Sequence, residues 1–390
     1  MTRVAFTLIG GKTWTGGFNY LRNLLQVLAQ HEGRRLTPVL FVGASMTGTD
    51  IEALAAIPGV EFVRTPLLDA SRRGRSLLQA IAWGKDMAVA ELFRHHRIDA
   101  VFENAQFFGW RLGLPAIAWI PDFQHRELPH MFTWQGRWKR EIGFIAQVIG
   151  RRFVMLSSED ARVACERYYP STRSRTQVVH FAVPPGAAME QDAARRIANE
   201  YALPERFFFM PNQFWKHKNH ALVVEALAIL RERGERVVVA ASGMQSDPRD
   251  PEHFPCLQAQ VERLGVQGEM RFLGLIPYPH LAALMQSCTA LLNPSLFEGW
   301  STTVEEARAI GTPMLLSDLA VHREQMGADA SYFDRYSALA LADAMQGFPV
   351  LSAPQRVAAA SLARQQAEAR VCRFGSEFAD LVEAIVRART

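Results

Sequence analysis

The chain has 390 residues, 49% of them hydrophobic and 21% charged, a balance that excludes collagen-like and disordered classes. That length exceeds what one hydrophobic core usually serves, so two domains are expected. A net charge of +4 suits anionic ligands or an acidic lipid surface, and four scattered cysteines without a C-x-x-C spacing predict reduced thiols rather than a zinc or disulfide framework.

In chain order, Val4 to Ile9 predicts the first buried strand. It is too short an apolar stretch for a signal peptide, and no apolar run of about 18 residues follows. The expectation is a cytoplasmic protein, with peripheral contact at the inner face of the cell membrane left open. Residues 10–17 contain Gly11-Lys12-Thr13, but a P-loop needs a glycine five positions before Gly11, where Phe6 stands. Gly16 and Gly17 would let backbone approach a ligand closely.

Strands are then predicted over 38–42, 60–63, 100–102, 116–120, 153–156 and 177–182, with helical patterns between them. Arg72-Arg73-Gly74-Arg75 precedes an apolar helix, and residues 134–140 interleave Trp134 and Trp138 with Arg137, Lys139 and Arg140. Two readings of these clusters stand: a face lying on a bilayer, or solvated cations over core tryptophans. No nucleic-acid motif accompanies the charge. Asp122 and His125 follow the strand at 116–120, where a histidine can orient an acceptor or exchange a proton; capping of local turns is the alternative. Glu103 and Asn104, which end the preceding strand, are lesser candidates for ligand contact.

Val183-Pro184-Pro185-Gly186 interrupts any regular element, so the first domain is expected over 1–184 and the second over 185–372. The second restarts the alternation with strands at 207–210, 237–241, 270–273, 290–292 and 314–316. Neither half carries G-x-G-x-x-G after its first strand, which speaks against a dinucleotide oxidoreductase.

Two loops of this half carry the chemistry. Residues 211–220 are polar and basic, and a lysine there can neutralise a departing diphosphate. In the run 293–307, Ser301, Thr302 and Thr303 open a helix whose free N–H groups suit phosphate. Glu298 and Glu306 would repel phosphate but accept hydrogen bonds from vicinal sugar hydroxyls. A nucleotide-sugar satisfies both demands.

Residues 274–324 closely resemble the donor region of retaining GT-B glycosyltransferases of family 4. The shared pattern is Pro294-Ser295, Glu298-Gly299-Trp300, Glu306-Ala307, Gly311-Thr312-Pro313 and Glu324, in that order. The resemblance implies an α/β GT-B fold, two Rossmann-like domains facing across a cleft, with a C-terminal helix at 373–390 crossing back to the first domain. It also implies hexose transfer from a nucleotide diphosphate sugar to a saccharide or lipid-linked acceptor, in bacterial surface polysaccharide assembly, without metal or other cofactor. Glu298 would hold the hexose, Glu306 the ribose, and Lys218 the donor phosphate. The family's usual arginine six residues before that lysine is Asn212 here, and Lys216 is the candidate replacement. Gly16-Gly17 resembles the family's first-loop glycine pair, and Pro121-Asp122 stands where many members carry His-Asp, with His125 three residues on. Two other readings remain: another GT-B activity such as an epimerase or phosphorylase, and a non-catalytic nucleotide-sugar-binding module.

Overall fold

The computed structural model describes residues 1–8, 15–104, 106–149, 152–186 and 189–388. The Gly11-Lys12-Thr13 segment lies outside them. Two compact units emerge. The first comprises Met1–Phe123, Gln135–Ala182 and Ala369–Thr390; the second comprises Gln124–Trp134 and Val183–Glu368. Against a split expected after residue 184, the units part after Ala182, and the short piece Gln124–Trp134 groups with the second.

Among the described residues the first unit is built on seven strands: β1 (Thr2–Thr7), β2 (Leu36–Gly43), β3 (Glu61–Thr65), β4 (Ala100–Asn104), β5 (Ala116–Trp119), β6 (Phe153–Leu156) and β7 (Thr176–Val178). They lie in the order β3-β2-β1-β4-β5-β6-β7, every pair parallel. The second unit has six: β8 (Phe207–Met210), β9 (Val238–Ser242), β10 (Met270–Gly274), β11 (Ala290–Asn293), β12 (Met314–Ser317) and β13 (Ser331–Phe333). Their order is β10-β9-β8-β11-β12-β13, again all parallel. Each sheet is therefore doubly wound, reversing direction between β1 and β4 in one and between β8 and β11 in the other.

Central strands carry unbroken apolar runs because helices cover both faces. In the second sheet Phe208, Met210, Val239 and Ala241 pack into one core, while Phe207, Phe209 and Ala240 pack into the other, as the two-residue period requires. Twelve strands fall where the apolar runs place them. The thirteenth, Ser331–Phe333, is a polar-led edge strand whose three residues show no periodicity.

The last helix is far longer than the expected segment 373–390: it runs Ala353–Arg387, 35 residues. Residues up to Glu368 count with the second unit and the remainder with the first. There Phe378 packs on Phe6 and Phe102, with ring centroids 5.8 and 5.6 Å away. Gly375 lies against Val27, where an added Cβ would come within 2.9 Å of Cγ1.

Candidate active site

Ligands of doubly wound sheets bind beyond the carboxyl ends of the strands flanking the reversal. In the second unit those strands are β8 and β11, and the two loops singled out above follow them. Three contacts staple one loop to the other. Leu296 N–H donates to the His217 carbonyl at 2.8 Å. Asn219 Nδ2 donates to the Pro294 carbonyl at 3.2 Å and to the Arg335 carbonyl at 3.0 Å. Lys218 Nζ meets Glu298 Oε1 at 2.6 Å. Asn219 can make its bonds because it sits in the left-handed region, φ 60°, at the head of the helix His220–Glu232.

The Lys218–Glu298 pair is the centre of the site, its side chains only 12% and 9% exposed. Ser295 Oγ lies 2.7 Å from the same carboxylate oxygen, and Asn293 Nδ2 3.5 Å. These bonds converge on Oε1. Burial pushes the Glu298 carboxyl up, but Lys218, His322 and Ser295 together outweigh it, so its pKa falls below the ordinary value. The carboxylate is thus ionised at neutral pH and acts as a hydrogen-bond acceptor.

The helix Thr302–Ile310 begins beside this pair. Its N-cap, Ser301, makes no side-chain cap bond; its Oγ accepts from Asn293 Nδ2 at 3.0 Å, and its N–H donates to Gln325 Oε1 at 3.2 Å. Ser301 is thereby closed on protein partners. The first-turn N–H groups of Thr302 and Thr303 have no intrahelical acceptor and stay suited to an anion. Glu306 lies three and four residues on, so it shares their half-buried face. Glu305, by contrast, is buried against Gln325 Nε2 at 3.2 Å.

Lys216 does not join the pair. Its ammonium meets Asp250 at 3.3 Å with the side chain half exposed. Asn212, at the place of the family's arginine, is buried, and its Nδ2 has no partner among the described residues. A different cation comes near this loop: Arg249 bonds Asp247 at 3.0 Å, reaches His217 Nδ1 at 3.4 Å and lies over the Trp215 ring.

Several participants escaped the sequence reading. Asn219 is one. His322 is another: fully buried, its Nδ1 lies 2.9 Å from the Ser317 carbonyl, while Nε2 has no partner among the described residues. Burial lowers its pKa, against the pull of Glu298, so the imidazole is neutral. Only the left-handed demand on Asn219, an asparagine just before a helix, had a sequence signal.

Gly16 and Gly17 form the first turn of the helix Thr15–His31 rather than a loop. Asp122 pairs with Arg140 at 2.7 Å. His125, which groups with the second unit, is fully buried, its ring 6.5 Å from Phe132. Glu103 is buried in a two-pronged pair with Arg152 at 2.5 and 3.0 Å, and Asn104 is bonded twice to Thr7. Both Glu103 carboxylate oxygens are therefore engaged by Arg152. Among the described residues no three His, Cys, Asp or Glu side chains gather as ligands of one ion.

Residues 193–350 match the family described as glycosyl transferases group 1. The matched stretch holds the Lys218–Glu298 pair and the helix Thr302–Ile310. Among curated relatives, the chain is 27% identical over 237 residues to the D-inositol 3-phosphate glycosyltransferase of Corynebacterium urealyticum, covering 57% of this chain and 54% of that one. It is 29% identical over 141 residues to the putative glycosyltransferase EpsF of Bacillus subtilis, covering 36% and 34%. The chain thus spans about half, or a third, of these relatives' lengths. Over nearly the whole fold it is similar to Anabaena HepE, solved in complex with UDP and glucose: TM-score 0.71 and 17% identity, covering 98% of this chain and all of that one. The fold is GT-B.

Proposed function

We propose that this protein is a retaining glycosyltransferase of family 4, moving a hexose from a nucleotide diphosphate sugar to a saccharide or lipid-linked acceptor in surface polysaccharide assembly. The observation that carries this reading is the buried Lys218–Glu298 pair at the switch point of the second sheet, beside a helix N-terminus. The group 1 match and the UDP and glucose bound by the HepE neighbour support a nucleotide-sugar donor.

In the reaction, the bond from the sugar's anomeric carbon to the diphosphate oxygen breaks and a bond to the acceptor oxygen forms on the same face. The acceptor proton passes to the departing phosphate. Lys218 and the N–H groups of Thr302 and Thr303 stabilise the diphosphate as charge develops on it. Glu298, with Oε1 held by the protein, offers Oε2 to sugar hydroxyls, and Glu306 takes the ribose. Gly16 and Gly17 approach the donor with backbone, and Asp122 and His125 shape the acceptor side. The Arg140 pair and the burial of His125 favour positioning over proton transfer for those two residues.

The test is acceptor-dependent release of nucleoside diphosphate across UDP-, GDP-, ADP- and dTDP-sugars, which an epimerase would not produce. Glu298→Ala and Lys218→Ala are expected to abolish most of it; transfer at the wild-type rate by both variants would overturn the assignment. One observation favours a non-catalytic binding module, the neutral Asn212 in the arginine position. Donor binding without release of diphosphate under any acceptor is the outcome that module predicts.

A further inference from the structure

The first unit carries a helix whose composition fits neither a core nor an ordinary surface. In Arg73–Ala82 only Ala80 is buried, yet Leu77, Leu78 and Ile81 are exposed. Trp83, 70% exposed, and Met87, 57%, continue the apolar surface at its end. A surface helix normally turns such side chains inward. This one is instead held by Ala80 and by Ser76 Oγ, which donates to Asp86 Oδ2 at 2.5 Å. Asp86 is itself buried and caps the following helix through the Ala88 and Val89 N–H groups.

The charge is equally one-sided. Arg72, Arg73 and Arg75 crowd the helix start, and its first turn holds no acidic residue. Cations there oppose the helix dipole, and the Arg72 and Arg73 N–H groups are already taken by the Asp69 and Ala70 carbonyls. From Ala70 to Lys85 there is no Asp or Glu. Arg111 N–H donates to the Gly84 carbonyl at 2.6 Å, so the exposed Arg111 and the half-exposed Trp110 lie beside the end of the helix. Cations with no ion-pair partner among the described residues, set around an exposed Leu, Ile and Trp surface, complement a phosphate layer above hydrocarbon.

We infer that residues 72–87, with Trp110 and Arg111, form a docking face for an anionic lipid bilayer, the arginines on headgroup phosphates and Leu78, Ile81 and Trp83 in the acyl boundary. Among the described residues no helix is long and apolar enough to cross a membrane, so this contact is peripheral. It is independent of the donor chemistry and stands or falls apart from the transferase reading.

The full chain is sedimented with vesicles of phosphatidylcholine alone or mixed with phosphatidylglycerol. Wild type is expected to bind the mixed vesicles selectively. Replacing Arg72, Arg73 and Arg75 with Gln should weaken that binding roughly 100-fold, and Leu78→Ser with Ile81→Ser and Trp83→Ser should abolish it. Five of the six side chains are exposed and Arg72 is half-buried, so melting temperatures should hold. Trp83→Phe tests insertion without disturbing packing, by reducing the quenching of tryptophan fluorescence by brominated acyl chains to what Trp110 retains. Wild type remaining in the supernatant, equal binding to neutral vesicles, or undiminished binding by the Gln variant would overturn the inference. So would a lipid-free dimer that the Ser substitutions dissociate, since the face would then belong to a second copy of the chain.

Discussion

Glu298 and Lys218 were expected to grip different parts of one ligand, and they meet each other instead. The two roles are compatible because a carboxylate has two oxygens and an ammonium three protons. Glu298→Gln keeps the shape but forfeits the charge-assisted bond, and Lys218→Ala removes a cation from the leaving group. Each should lower kcat/KM by about 10²- to 10³-fold, the scale of losing one transition-state donor, read in a diphosphate-release assay. Lys216→Ala is the contrast. Its exposed pair with Asp250 is worth at most about 1 kcal/mol, so transfer and melting temperature should stay close to wild type. Glu103 and Arg152 form the opposite kind of pair, 0% and 5% exposed. Arg152→Ala would strand a buried carboxylate and cost about 3–5 kcal/mol, measured by denaturant unfolding.

At the scale of elements, the short turn Lys216–Lys218 and the helix His220–Glu232 meet at Asn219. Its left-handed backbone costs an ordinary residue about 1–2 kcal/mol. Asn219→Ala is therefore expected to lose that strain energy and the bonds to Pro294 and Arg335, whereas Asn219→Gly should lose only the bonds and unfold at a higher urea concentration than the alanine variant. The next residue gives this helix a pH response. His220 is fully buried, stacked on Phe214 with centroids 4.3 Å apart. Burial, with His253 and Lys218 adding to it, pushes its pKa down to about 3. The unfolded chain binds a proton near the ordinary histidine value and the folded chain does not. His220 therefore subtracts about 1.4 kcal/mol per pH unit as pH falls from about 6.5 toward 3. His220→Phe keeps the stack and should flatten the acid limb of melting temperature against pH; an unchanged slope would refute this account. Glu298, depressed in pKa, also loses its stabilisation as pH falls, below the ordinary carboxylate range.

For the molecule as a whole, a ligand that binds only the folded state raises its stability. A matching nucleoside diphosphate at about 100 times its Kd should add about 2.7 kcal/mol, seen as a higher melting temperature in wild type and a smaller rise in Lys218→Ala. The doubly wound architecture was legible in the chain because a parallel strand buried on both faces must be apolar throughout. Residues 207–210, 290–292 and 314–316 read that way without any structure. The edge strand Ser331–Phe333 did not, since an edge imposes little hydrophobic demand. The position of the donor loops was legible for the same reason, as the breaks after apolar runs. What tertiary structure alone decided was pairing. Whether Lys216 or Lys218 reaches Glu298, whether Glu103 faces a ligand or Arg152, and that His322 lies near the site all depend on side chains brought together by the fold, 80 positions apart for Lys218 and Glu298 and 49 for Glu103 and Arg152. Spacing along a strand or helix encodes neighbours on one element, and it carries no record of which element will fold against it.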